Sequence, residues 1–196
     1  TAAQLGQGAL DQLVMFCAEA HLIGALHHPN ILQVVGVIMG TIPLKMLTEH
    51  CLNGDLRSYL RACRRTTKNP KEKLDTSNLL EIGSQVVSAC VYLEKLKVVH
   101  RGLMASNCLV GANHATIKLS GFGSLREVLR ADEYVKTSGA KETDLDIRWM
   151  APECFTDNKF SLRSDVWSFS VLLWEVFAYA RKPYVFFFGS VDHIRG

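Results

Sequence analysis

The sequence predicts an α+β fold, mostly helical, with a small sheet near its start. Three observations point there. Two short runs rich in branched residues, Ile31 to Val37 and Leu44 to Glu49, read as strands, joined by Gly40 and Pro43 turn chemistry. Leu79, Ile82, Val86, Ala89 and Leu93 recur at helical spacing on one face. The run from Val166 to Phe177 is apolar on nearly every side, which predicts a helix buried all round.

The chain has 196 residues, 48% of them apolar, enough for one domain with its own core. A net charge of +3 is too small for the clustered basic face that nucleic acid requires. The longest basic run, Arg57 through Arg65 to Lys73, is interleaved with Thr, Asn and Pro and reads as a solvated linker between helices. Six scattered cysteines form no C-x-x-C pair and no zinc spacing, so free thiols in a reducing compartment are expected. No stretch reads as a signal peptide, and no apolar run is long enough to span a bilayer.

Residues 1–12 are small and polar and read as a flexible lead-in. Leu5-Gly6-Gln7-Gly8 could open a phosphate-binding glycine loop, but Asp11 stands where a third glycine would be needed. From Leu13, the residues Phe16, Ala20 and Ile23 continue a helical stripe that Pro29 stops. Asp75-Thr76-Ser77 offers capping oxygens to the helix carrying the Leu79 to Leu93 stripe. Ser124 to Thr143 is polar and loop-like, with Tyr134 as its single tyrosine.

The chemistry-bearing stretch is Val98 to Gly123. It holds His100-Arg101-Gly102-Leu103 with Asn107 four residues on, then Gly121-Phe122-Gly123. Downstream come Arg148-Trp149-Met150-Ala151-Pro152-Glu153 and Ser164-Asp165-Val166-Trp167-Ser168-Phe169. Four motifs in this order are far more specific than any one of them. Together they resemble the protein kinase family, and the last two strings resemble its tyrosine kinase branch. Asn53-Gly54-Asp55-Leu56 and the run Asn107-Cys108-Leu109-Val110-Gly111 are similar to receptor tyrosine kinases.

The resemblance implies one kinase-like domain, incomplete at both ends. Residues 1–52 would be a partial N-lobe with the C helix, two strands and the hinge. Residues 53–196 would be a C-lobe from the D helix to the start of the G helix, built around a buried F helix. It further implies roles for single residues. Glu19 falls where the C-helix acid pairs with a strand lysine, yet no Lys or Arg precedes Lys45. Ile23, Val34, His100 and Phe122 match the packed regulatory spine. Thr48 matches the gatekeeper; Glu49, His50 and Cys51 match the hinge, and Leu109 lies with them on the nucleotide side. Arg101 matches the arginine that clamps a phosphorylated loop residue, for which Tyr134 is the candidate. Asp165 matches the acid that holds the His100–Arg101 turn, and Glu153 expects a late C-lobe arginine.

The same resemblance exposes departures. Gly102 and Gly121 stand where the family carries its catalytic base and its Mg²⁺-binding Asp. Ser106 replaces an arginine, and Asp146 replaces a proline that seats the substrate tyrosine. Asn107 matches a metal ligand, but a lone amide is a poor site for a hard cation. The sequence therefore predicts a pseudokinase: a scaffolding or allosteric signalling module with no catalytic residue, no metal site and no ATP–Mg²⁺ cofactor. Expected partners are other signalling proteins, an active kinase among them, and not nucleic acid. The expected location is cytoplasmic, with a membrane receptor as a possible parent. The alternative is a residual tyrosine kinase that uses the retained Asn107.

Overall fold

A computed structural model describes residues 16–17, 20–39, 44–65, 74–122, 126–127, 133–135 and 147–185, with backbone alone at 65, 126–127 and 133–135. The expected lead-in, Gly40 and Pro43, Glu19, Gly123, Asp146 and most of the 124–143 loop lie outside the described residues.

Residues 16–17 and 20–24 are helical, in line with the stripe through Phe16, Ala20 and Ile23. Strands β1 (Val34–Ile38) and β2 (Lys45–Thr48) then form an antiparallel pair, with an irregularity between Val34 and Gly36. The first strand begins later than its branched residues suggest. Residues 30–32 turn to a different partner: Leu32 donates its N–H to the Leu119 carbonyl at 2.9 Å, and Leu119 donates to Asn30 at 2.8 Å. Ile31 accordingly makes a parallel bridge to Leu119 rather than extending β1.

Helix α1 (Leu56–Arg65) corrects the reading of the basic run as a linker, at least as far as residue 65; residues 66–73 lie outside the described set. Leu56 and Leu60, one helical turn apart, are both 0% exposed, so they anchor α1 while Arg61 and Arg64 lie exposed and Arg57 pairs with Glu175. Helix α2 (Thr76–Lys95) starts as expected. The Asp75 carboxylate accepts from the Asn78 N–H, and the Asn78 side chain accepts from the Asp75 N–H. All five residues of its stripe are buried.

Short strands follow: β3 (Val98–Val99), β4 (Cys108–Val110) and β5 (Ile117–Leu119), then β6 (Arg126–Glu127), β7 (Glu133–Val135) and β8 (Lys159–Ser161). They pair as β3–β6, β4–β5 and β7–β8, all antiparallel. Helix α3 (Pro152–Thr156) has its proline in the first turn, where the missing N–H goes unneeded. Helix α4 (Leu162–Phe177) is capped by Ser161 and Ser164 in a reciprocal box.

The expectation that α4 is buried all round is overturned. Val171, Leu172 and Val176 are buried, whereas Val166, Trp167, Trp174 and Phe177 are 66, 43, 48 and 40% exposed. Helix α4 packs against α2, β3, β8 and the turns at Ala105–Asn107 and Ile147–Trp149. An all-apolar pattern cannot report which side such neighbours leave open. One core cluster runs from Ile23 and Leu26 through α2 to Leu172 and Val176. No helix among the described residues is long and apolar enough to cross a membrane.

The N-terminal elements are pinned to α2 by polar contacts. The Asn30 amide donates to the Gln85 side chain at 2.9 Å and to the Ile117 carbonyl at 3.0 Å. The His27 N–H donates to the Tyr92 hydroxyl at 3.0 Å, and the His28 ring packs on Tyr92.

Candidate functional site

Strand β3 delivers the chain into a tight turn at His100-Arg101-Gly102, where Arg101 takes a φ of +68°. That left-handed conformation is strained for a residue with a Cβ and persists only when its surroundings fix it. Asp165, in the first turn of α4, supplies the fixing. Its two carboxylate oxygens accept the His100 N–H at 2.7 Å and the Arg101 N–H at 2.9 Å. Burial pushes the Asp165 carboxyl up to about 6, against the pull of those two hydrogen bonds and the Arg101 charge.

His100 is fully buried. Its Nδ1 accepts from the Gly102 N–H at 3.2 Å, so the ring proton resides on Nε2, which faces the Ser120 carbonyl at 2.9 Å. Burial lowers its pKa to about 4, outweighing the bond to Ser120, and so keeps the ring neutral. The ring meets Phe122 edge-on, with centroids 5.4 Å apart. Ile23 and Phe122 share the main core, and Val34 packs against it half-buried.

Asn107 closes the small turn Ala105–Asn107. Its side-chain amide donates to the Gly102 carbonyl at 2.7 Å, and its backbone carbonyl accepts from both Ser120 N–H (2.7 Å) and Ser120 Oγ (2.9 Å). Gly121 follows with a φ of +82°. Gly102, Asn107 and Gly121 thus meet around one amide.

The hinge residues lie at the end of β2. Thr48 is exposed; Glu49 and Cys51 are half-buried, and Leu109 is half-buried on β4. The Glu49 side chain has work that a backbone-only role did not foresee. It pairs with Lys118 at 2.8 Å and accepts the Gln33 N–H at 2.8 Å. Burial acts against its charge, but the Lys118 and Gln33 hydrogen bonds and the Lys118 charge hold its pKa below the usual range. Burial raises the Cys51 thiol.

Arg101 lays its guanidinium 4.0 Å over the Phe160 ring. Phe160 is the backbone partner of Tyr134 across β7–β8. Glu153 is half-buried in α3 and forms no ion pair among the described residues.

Sequence reasoning missed Glu175 altogether. This carboxylate in α4 is 1% exposed and gathers three donors: Arg57 Nε at 3.1 Å, the Ala105 N–H at 3.0 Å and Trp149 Nε1 at 3.1 Å. The Arg57 guanidinium also sits 5.1 Å from the Trp149 ring centre. The one acid within the apolar run from Val166 to Phe177 was the available signal, since such a group is buried only with partners.

The model of the protein tyrosine and serine/threonine kinase family matches residues 5–189. The chain belongs to this kinase family. Its curated relatives carry the tyrosine branch. The proto-oncogene tyrosine-protein kinase ROS of rat is 40% identical over 185 residues, covering 92% of this chain. Human tyrosine-protein kinase ABL2 is 41% identical over 169 residues, covering 86% of it. The transforming protein ros of UR2 avian sarcoma virus is 40% identical over 186 residues. This kinase-family chain spans 8, 13 and 45% of those three proteins' own lengths, respectively.

Proposed function

We propose that this chain is a pseudokinase, a binding or allosteric module on a tyrosine kinase frame with no meaningful phosphoryl transfer. The observation that carries the reading is the Asn107 amide bonded to the Gly102 carbonyl at 2.7 Å, with Gly121 beside it. The family implies Mg²⁺ here, and the residues present do not fit it. A hard cation takes carboxylate or phosphate oxygens, while Gly102 and Gly121 bring no side chain and Asn107 directs an N–H donor into the loop. Losing a general base alone typically lowers a rate by about 10²–10⁴-fold. The architectural parts persist, with Asp165 on the turn and His100 against Phe122. This division suits a module that keeps its shape for protein partners. All six cysteines are free thiols, which suits a reducing, cytoplasmic setting.

Labelled ATP with Mg²⁺ and a tyrosine peptide tests the proposal. Expected incorporation is at background, in trans and onto the chain itself. Incorporation that vanishes in Asn107→Ala would establish the residual-kinase alternative instead.

A second reading concerns control by an active kinase. Tyr134 pairs by backbone with Phe160, the residue under Arg101. An arginine forks two hydrogen bonds to a phosphate, which makes Arg101 the candidate clamp for a phosphate on Tyr134. An active tyrosine kinase should then raise Tm of the wild type and leave Tyr134→Phe and Arg101→Leu unshifted.

A further inference from the structure

Cys17, His21 and Met39 line one open cleft between β1 and the helical residues 16–17 and 20–24. Cys17 and His21 stand four residues apart in that helical segment and so share a face. Met39 follows the end of β1 and brings its sulfur to the same place. The Cys17 thiol donates toward Met39 Sδ, 3.6 Å away. In sequence the two sulfurs are 22 positions apart, so no Cys/His spacing rule reveals the pair.

Each of the three side chains is a metal ligand by type, and none is a hard oxygen donor. Two ligands at i and i+4 on one helix face are a recurring way to hold an ion. With metal–sulfur bonds of about 2.3 Å, sulfurs 3.6 Å apart subtend about 100° at a shared ion, so one ion can take both without backbone movement. Cys17 is half-buried while His21 and Met39 are exposed, which leaves the cleft open to entry. Its walls include Phe16, Ala20, Val35 and Val37, whose side chains offer nothing to a hard, hydrated cation.

The donor set also selects among soft ions. A structural Zn²⁺ site takes four ligands, drawn from Cys, His, Asp and Glu. Among the described residues, no group of three such side chains is placed to hold a metal. A thiolate, a thioether and an imidazole instead suit Cu(I). We infer that Cys17, His21 and Met39 form a three-coordinate Cu(I) site that ties the N-terminal helical segment to the end of β1. Binding replaces the thiol proton, which passes to solvent, and the thiolate balances the single charge of the ion. No electron is transferred. The site shares no residue with the Gly102–Asn107–Gly121 loop and stands independently of the pseudokinase proposal.

The test offers the whole chain, kept reduced, Cu(I) held by a coloured chelator. The wild type should withdraw a single equivalent, and Cys17→Ser should lose that uptake. Met39→Leu keeps the volume and His21→Asn changes an exposed position, so both variants should fold. Each should hold Cu(I) about tenfold or more weaker, since even changes behind the ligands cost that much. A wild type that cannot compete with the chelator would overturn the inference. So would Met39→Leu and His21→Asn variants that match the wild type, because a thiol would then be acting alone. X-ray absorption of the loaded chain should find two sulfurs and one nitrogen around copper, and a shell of sulfur alone would contradict the site.

Discussion

Arg57 donates its Nε to Glu175 at 3.1 Å, joining α1 to α4 across 118 residues of sequence. The carboxylate also receives the Ala105 N–H and the Trp149 indole, so α1, the Asn107 turn and the Ile147–Trp149 turn share one buried acid. Removing one partner of a buried pair leaves an uncompensated charge. Arg57→Met should lower stability by about 3 kcal/mol, the low end for such pairs, because Arg57 keeps part of its side chain in solvent. Urea unfolding measures this as a lower midpoint at unchanged slope. An unchanged midpoint would mean that the two remaining donors suffice for Glu175.

His100 and Asp165 make opposite contributions to stability as pH changes. The buried ring titrates near 4, below its ordinary 6.5, so the unfolded chain binds the extra proton between those values. Its contribution is full above 6.5 and is lost as pH falls toward 4. The Asp165 carboxyl titrates near 6, above its ordinary 3.8, so the folded chain binds the extra proton. Its contribution is full below 3.8 and is lost as pH rises through about 6. Each slope is about 1.4 kcal/mol per pH unit, and between pH 4 and 6 they oppose each other. Relative to wild type, His100→Phe should lose stability across that window as pH rises, and Asp165→Asn should gain it. Denaturant titrations at several pH values check both. Profiles parallel to wild type would contradict this assignment.

Gly83 lets α2 and α4 approach closely. A Cβ there would lie 2.8 Å from the Leu173 methyl, which sits at the end of a half-buried, movable side chain. Gly83→Ala should be nearly neutral, since about 1 kcal/mol of helix propensity offsets the shift of that methyl. Gly83→Val adds branches with nowhere to go and should destabilise by about 1–3 kcal/mol. Thermal unfolding of the pair gives the comparison, and equal Tm values would show that the helices can separate freely.

Local signals in the sequence were read correctly where local physics decides. The Asp75 cap and the α2 stripe each depend on residues within a few positions of one another. The misreadings share a non-local cause. The arginines of α1 made it look like a solvated linker because its anchors, Leu56, Leu60 and the distant Glu175, carry no joint signature. The apolar girth of α4 hid the exposure of Trp167 and Trp174, which depends on where neighbours stop. At the site, the two glycines were visible as substitutions of a motif. That the Asn107 amide bonds to the Gly102 carbonyl, and its backbone carbonyl to Ser120, no spacing rule encodes.

The most direct test of the central claim is a thermal-shift titration with ATP, run with and without Mg²⁺. A ligand at a hundredfold above its Kd stabilises by about 2.7 kcal/mol, which moves Tm by about 5–11 °C for a domain of this size. The account predicts that the curves with and without Mg²⁺ superimpose, because Gly102 and Gly121 offer the ion no carboxylate and the Asn107 amide donates to the Gly102 carbonyl. A shift of that size that requires Mg²⁺ and disappears in Asn107→Ala would contradict it and restore the enzyme reading.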